Sequence, residues 1–387
     1  MSDQPKRRFA TRAVRAGIAS DPGWNSVVAP ISVSATYARE DPGKPGDFDY
    51  ARTNHPSRAE LAGALADLDG AAGAVVTASG MAAVDLTLHD LPVGARVVAA
   101  HDGYGGTMRL LNARAAGGRL DVVYADCTDL DALRGALEPG AALLWLETPS
   151  NPRLRITDLE AACALGREAG ALVAVDNTVL TSALQRPLEY GAHVVVSSIT
   201  KLINGHSDMV GGVLSAASTE AAERYAWWAN AAGVSGGAFD AFLALRGLRT
   251  LPLRAKAQSE TATELARRLA RRADVVRVDY PGLEDHPGHD IAKRQQSGFG
   301  PLLAFEVAGG TERAVALVKR FELFVLAQSL GGAESLACIP ATMTHAAMSA
   351  EARRTAGVGD GLVRLSAGLE DVEDLWADLE AALDATA

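Results

Sequence analysis

The sequence predicts an α/β fold, with a mostly parallel sheet in a large domain and a smaller α+β domain at the C-terminal end. Three observations carry this. Short apolar runs alternate with helix-length segments from about residue 58 to residue 201, the signature of parallel strands covered by helices on both faces. Two of these runs end on chemically reactive residues, Asp176 and Lys201, and ligands of open parallel sheets sit beyond strand carboxyl ends. After about residue 272 the pattern changes to strands and helices in mixed order.

Composition bounds the classes. The chain has 387 residues, is 48% hydrophobic and carries a net charge of −10, enough for two or three domains with packed cores. The basic stretches are Lys6-Arg7-Arg8 and Arg267 to Arg272. The second reads as the solvated face of a helix, so no nucleic acid is expected as partner. The N-terminus lacks an apolar signal core and no run reaches membrane-spanning length, so no membrane association is expected. Cys127, Cys163 and Cys338 stand singly, without metal spacing. They read as buried reduced thiols of a cytoplasmic protein, with no metal site.

Residues 1–60 read as an arm. Pro22, Pro30, Pro42, Pro45 and Pro56 interrupt it, and residues 41–46 form a turn cluster. Tyr50 and Arg52 lie on this arm; they read either as ordinary polar residues of a surface loop or as side chains that reach a phosphate in another subunit. Residues 61–253 read as the large domain. A helix over 58–69 closes at Gly70, and Ala74 to Thr77 is a strand. Ser79, Gly80 and Met81 then open a helix through about Leu91, and a small-residue turn at a helix N-terminus is a ready anion site. No Walker loop or Gly-x-Gly-x-x-Gly is present, against a nucleoside triphosphate or a dinucleotide. The next strand, Arg96 to Ala100, leads into His101-Asp102-Gly103-Tyr104-Gly105-Gly106 and a helix containing Arg109. Tyr104 reads as a packing residue or as a ring lying flat on an aromatic cofactor. Two more units follow: strand 121–125 with helix 128–137, and strand Leu143 to Leu146, ending in Glu147-Thr148, with helix 158–169. At least six strand ends then converge on one rim, gathering Ser79, Tyr104, Asn151, Asp176 and Lys201.

Two runs fix the chemistry. Leu172 to Val175 is an apolar strand ending in Asp176, and Val194 to Ser197 leads through Ser198 and Thr200 to Lys201. A strand-end ammonium costs free energy unless paired or neutralised. Desolvation lowers its pKa and frees the amine for a carbonyl, so a Schiff base is one use for it. A strand-end aspartate can pair with a pyridinium nitrogen, as pyridoxal 5'-phosphate (PLP) requires. Ser198 and Thr200 offer hydroxyls to a phosphate. A strand at Val213-Leu214, a helix containing Trp227 and Trp228, and a helix from Ala238 to Leu251 complete this domain.

Residues 254–387 read as the α+β domain. It has a helix at 254–272, strands at 275–279, 302–307, 323–327 and 362–366, and helices at 311–320 and 371–385. Gln328 to Gly332 is a loop after a strand. Arg364 sits inside a strand; it reads equally as a bidentate grip on a carboxylate and as a salt-bridged sheet arginine.

Seven ordered motifs resemble the cysteine and methionine metabolism family of PLP enzymes, from about Phe9 to Leu383. They are Asp49 to Arg52, Ser79 to Met81, His101 to Gly106, Glu147 to Pro152, Val175 to Thr178, Ser198 to Lys201 with Asn204 to Asp208, and Gln328 to Gly332. The stretches Ala341 to His345, Arg364 to Gly368, Ala226 to Asn230 and Gly236 to Asp240 are most similar to its bacterial cystathionine γ-synthase branch. The resemblance implies the aspartate aminotransferase-like fold (fold type I) and a Schiff base on Lys201. It implies that Asp176 pairs with the cofactor ring nitrogen and that Tyr104 stacks on the ring and moves protons near the leaving group. It places the phosphate on Gly80, Met81, Ser198 and Thr200, with Tyr50 and Arg52 from the neighbouring subunit. Asn151 lies near the phenolic oxygen and the substrate. Ser329 and Arg364 hold the substrate α-carboxylate, with Gln328 alongside.

The implied activity is γ-replacement on a small amino acid, best read as joining an O-acyl-homoserine to cysteine. The alternatives are γ-elimination to a 2-oxo acid and ammonia, and a specialised relative with another γ-substituted substrate. A third reading, a module of this fold without catalysis, conflicts with the presence of Lys201, Asp176 and Tyr104. A homotetramer of two active dimers is the implied assembly. Gln328 stands where many relatives carry Glu, Thr53 where the most similar branch has a basic residue, and Met108 where a bulkier aromatic stands. All three are expected at the distal end of the substrate.

Overall fold

The structure, a computed structural model, describes residues 7–387 apart from 22, 45 and 347. Lys6, Pro22 and Pro45 lie outside the described residues. Two sheets organise the chain. The first holds β1 (Gly73–Thr77), β2 (Ala95–Ala100), β3 (Leu120–Ala125), β4 (Leu143–Glu147), β5 (Leu172–Asp176), β6 (Val194–Ser198) and β7 (Gly212–Ala216), in the spatial order β1-β7-β6-β5-β4-β2-β3. All neighbours from β6 to β3 are parallel, and β7 runs antiparallel to both β1 and β6. β1 therefore points the same way as the other five, and six carboxyl ends share one rim. The reversal at β7 follows from its connection. The chain returns from β6 through an irregular loop without a crossover helix, which suits an antiparallel neighbour.

The interior strands are apolar on both faces because helices cover both. Leu143, Leu144, Val173, Ala174, Val175 and Val194 have no exposed surface. Each large apolar side chain so buried stabilises the fold by about 1.5–3 kcal/mol. The chain winds outward from β2 to β3, then returns beside β2 at β4 and continues to β5 and β6. Strand order reverses between β2 and β4, and a crevice opens at such a point.

The helices differ from expectation mainly at their ends. α1 (Phe9–Val14) was read as arm, yet Ala13 is fully buried in a core that includes Leu245 and Leu248. α2 (Pro56–Asp69) starts two residues early: Pro56 takes the first helical position, and His55 Nδ1 accepts from Arg58 N–H. α3 (Gly80–Leu86) stops well before Leu91. Thr87 at its end turns its hydroxyl onto the Val84 carbonyl, and Pro92 disfavours helix at the residue before it. α4 (Gly105–Ala116), α5 (Leu130–Leu137) and α6 (Leu159–Glu168) begin after Tyr104, Asp129 and Asp158; both aspartates accept from first-turn N–H groups. The helix expected to run to Leu251 ends at Leu248, and the next one starts at Leu251 with Pro252 in its first turn.

The second sheet has β8 (Val275–Asp279), β9 (Leu302–Val307), β10 (Val325–Leu326), β11 (Leu336–Cys338) and β12 (Leu362–Ser366), in the order β10-β11-β12-β9-β8. The strand read at 323–327 shrinks to Val325 and Leu326, both exposed at the sheet edge. β11 and the helices His289–Gln295 and Ala350–Thr355 escaped the sequence reading because they are too short to show a period. The basic stretch at 267–272 is a paired surface: Arg268 meets Glu264 and Glu373, and Arg272 meets Asp274 and Asp384. All three cysteines are free and buried. Among the described residues no helix is long and apolar enough to cross a membrane, and no His, Cys, Asp and Glu group could hold a metal.

Candidate active site

The rim of the first sheet and the loop after β10 enclose a cavity of about 340 Å³. Ser79, Gly80, Met81, Tyr104, Asn151, Asp176, Ser198, Thr200, Lys201, Gln328, Ser329 and Arg364 all line it, although they come from strand ends far apart in sequence. A larger and more open depression of about 630 Å³ lies between α1 and α2. It holds none of these residues, and its Arg12 is already paired with Asp67.

Lys201 is held by the loop after β6 and points across to the second sheet, where Nζ donates to Ser329 Oγ at 2.7 Å. Burial, then the Arg364 charge, pushes its amine down to about 8. A larger share of free base results than an ordinary lysine has, as a carbonyl-capturing or proton-abstracting amine needs.

Asp176 ends β5. Its Oδ1 accepts from the Thr178 N–H at 2.9 Å, and burial raises its carboxyl above the usual range. Among the described residues it forms no ion pair. A buried carboxylate that lines a cavity without a cation fits a protonated ring nitrogen.

At the other end, Gly80 and Met81 open α3, where the first N–H groups have no partner within the helix. A Cβ at Gly80 would lie 2.8 Å from Ser198 Cβ, so only glycine lets β6 and α3 meet here. The Ser198 N–H donates to Thr178 Oγ1, which fixes β6 against the loop after β5. The Thr200 hydroxyl is less free than its motif suggests. It accepts from Gly211 N–H at 3.0 Å and lies 3.3 Å from the Gly211 carbonyl. Together a buried carboxylate at Asp176 that calls for a cation, an anion cradle beside Ser198 and a neutralisable Lys201 fit PLP.

Tyr104 lies at the N-terminus of α4, and its ring packs so close to Gly106 that a Cβ there would fall 2.4 Å from it. Asn151 is buried in a loop with cis peptide bonds at Thr148-Pro149 and Asn151-Pro152. Its Oδ1 accepts from Arg364 Nη1 at 2.9 Å. A guanidinium cannot accept, so this bond fixes the amide with Nδ2 left as donor. The His345 ring sits on the far side of the same loop, 3.0 Å from the Asn151 carbonyl.

Arg364 reaches the cavity from β12. It is 2% exposed. Nη1 goes to Asn151 and Nη2 to the Ser329 carbonyl at 2.6 Å, while Nε has no partner. Among the described residues it meets no carboxylate. A buried guanidinium without a counter-charge is costly, and a substrate carboxylate would supply that charge. Gln328 stands exposed at the rim, and Ser329 holds a positive φ of 101°.

Four residues singled out above lie outside this cavity, and two of them, Tyr50 and Arg52, are expected at a neighbouring subunit's phosphate. Tyr50 is half exposed, and Arg52 lies over its ring while donating to the Asn230 carbonyl. Neither lines this cavity. Thr53 also meets Asn230. Met108, expected at the distal end of the substrate, is instead buried on α4 against Ala304, Met348 and Leu362. The expectation failed because helix phase turns position 108 toward the second sheet.

The sequence reading missed Glu147 as a site residue. It ends β4, lines the cavity and is 5% exposed. Its signals were a strand-end position like that of Asp176 and its place at the head of the Glu147 to Pro152 motif. Thr178 and Thr344 also line the cavity and were not singled out.

Residues 10–384 match the family Cys/Met metabolism PLP-dependent enzyme. The chain is 46% identical to cystathionine gamma-synthase of Escherichia coli over 375 residues, covering 97% of both chains. It is 39% identical to cystathionine gamma-lyase of Dictyostelium discoideum, covering 99% of this chain and 100% of that one. Cystathionine gamma synthase of Xanthomonas oryzae, solved with aminoacrylate and cysteine, superposes with a TM-score of 0.97 at 48% identity, covering 99% of each chain.

Proposed function

Because the chain belongs to the Cys/Met metabolism PLP-dependent enzyme family, we propose that it joins an O-acyl-homoserine to cysteine by γ-replacement. The Cγ–O bond of the ester breaks and a Cγ–S bond forms. The thiol proton leaves with the released carboxylic acid, and the product is cystathionine. One observation carries the reading: Lys201, with its depressed amine, shares a cavity with Arg364, a buried guanidinium that meets no carboxylate among the described residues. The full-length likeness to gamma-synthases of 46–48% identity supports replacement as the first choice.

The chain's residues divide the work as follows. Arg364, Asn151 Nδ2 and the Ser329 loop would hold the substrate α-carboxylate. That grip orients the Cα–H toward Lys201, whose free amine would take the Cα proton, remove one from Cβ as the Cγ–O bond breaks, and return protons to Cβ and Cα after the thiol has added at Cγ. Asp176 would keep a cationic ring nitrogen charged. Gly80, Met81, Ser198 and Thr200 would hold the phosphate, with Tyr50 and Arg52 from a neighbouring subunit. Tyr104 would lie against the ring and shield the reacting carbons from water. When bound, PLP supplies the electron sink for charge left at Cα. The assignment includes a homotetramer of two active dimers working in the cytoplasm. It also divides the chain into an arm at 1–60, a large domain at 61–253 and a C-terminal domain at 254–387.

A second reading, γ-elimination, is favoured by the likeness to gamma-lyases at 39–40% identity. Incubation with O-succinyl- or O-acetyl-homoserine, with and without cysteine, separates the two. Cystathionine formed only with cysteine supports replacement. Formation of 2-oxobutyrate with no thioether product supports elimination. No turnover of either ester by the PLP-loaded protein sinks both for these substrates.

A further inference from the structure

Glu147 is a buried carboxylate that the reading above does not use. It ends β4 and is the register partner of Asp176 on β5. Its two oxygens have separate main-chain donors. Tyr104 N–H donates to Oε2 at 2.6 Å, and Asn151 N–H donates to Oε1 at 3.1 Å. These amides lie in the loops that leave β2 and β4, the strands between which sheet order reverses. Both loops deliver a side chain to the cavity.

The placement is costly. Burial, then the charge of Asp176 and that of Asp102, drives the Glu147 carboxyl well above its usual range, while the two N–H bonds pull the other way. Among the described residues it forms no ion pair. Stability alone would favour an amide or an apolar side chain here. Only a carboxylate offers two equivalent acceptors on one planar group, so a single residue can hold two loops at once.

We propose that Glu147 is a positioning residue, which locks the Tyr104 and Asn151 loops together through its two carboxylate oxygens. The consequence for turnover rests on the function proposed above; the lock itself does not. Glu147→Gln keeps the shape but turns an NH₂ toward one of the two donors. Glu147→Asp keeps the charge but is too short to reach both.

The test compares PLP-loaded wild type with both variants by hydrogen exchange, read by mass spectrometry over residues 101–105 and 149–152, and by steady-state kinetics. In the wild type the Tyr104 and Asn151 amides should exchange slowly. In both variants exchange should accelerate at least tenfold in the two loops together, with β4 unchanged. The variants should keep the cofactor's visible absorption. KM for the amino-acid substrate should rise and kcat fall, lowering kcat/KM about 10- to 100-fold. Looser loops with unchanged kinetics, or lost activity with unchanged exchange, would each overturn the proposal. If neither variant folds, the wild type decides: rapid exchange at either amide overturns it, and slow exchange at both supports it. A wild type that takes up no PLP defeats the functional reading, while the exchange data still decide the lock.

Discussion

Lys201 Nζ and Ser329 Oγ stand 2.7 Å apart, and that bond joins the loop after β6 to the loop after β10. The amine is thereby aimed at the space between the two sheets. Ser329 also gives its carbonyl to Arg364. Lys201 and Arg364 are thus spaced by one residue.

The first prediction concerns the Lys201 amine. Its depression to about 8 has burial as first cause and Arg364 as second. The free base therefore dominates above about pH 8, whereas an ordinary lysine remains cationic to about pH 10.4. In cofactor-free protein, amine labelling read by mass spectrometry should show Lys201 reacting with a midpoint near pH 8. Arg364→Gln should move the Lys201 midpoint upward, because a repelling cation is removed. A Lys201 midpoint above pH 10 would refute the electrostatic account.

Asp176→Asn should separate stability from activity. Burial raises the Asp176 carboxyl in the folded chain, so the folded state holds its proton longer than the unfolded state does. This group's contribution to stability is fully present below the unfolded value, near pH 3.9, and falls as pH rises through the folded one. Asn removes that penalty. Without cofactor, the variant should melt at or above the wild-type temperature near pH 7, while activity of the loaded enzyme falls at least 100-fold. A large loss of melting temperature would contradict this.

Arg364→Lys should be a severe change despite keeping the charge. A lysine cannot span Asn151 and the Ser329 carbonyl while gripping a carboxylate in two places. Loss of a charge-assisted hydrogen bond costs about 1.5–3 kcal/mol. KM for the amino-acid substrate should therefore rise by about 10- to 100-fold, with PLP retained. A KM within threefold of wild type would remove Arg364 from the substrate site.

Gly80→Ala tests the anion cradle. Its Cβ would meet Ser198 at 2.8 Å, against a main chain that cannot move cheaply. PLP affinity, measured by absorbance titration, should fall at least tenfold with circular dichroism in the far ultraviolet unchanged. Unaltered affinity would place the phosphate elsewhere.

Local signals carried much of this protein. The valine-rich run into Ser198, Thr200 and Lys201, and the run ending at Asp176, declare buried parallel strands because only two-sided burial tolerates such unbroken apolarity. Chain order then puts both ends on one rim. Short elements were not legible: β11 and the helix Ala350–Thr355 owe their form to neighbours rather than to their own period. Tertiary structure alone decided three things, each needing distant residues in contact. Among the described residues it left Arg364 without a carboxylate and bound to Asn151, where a strand arginine in sequence reads equally as an ion-paired one. It turned Met108 into the packing between α4 and the second sheet. It also made Glu147, one strand-end acid among several, the acceptor for two loop amides. A sequence states which groups are available. Which of them meet depends on how strands far apart in the chain are set side by side.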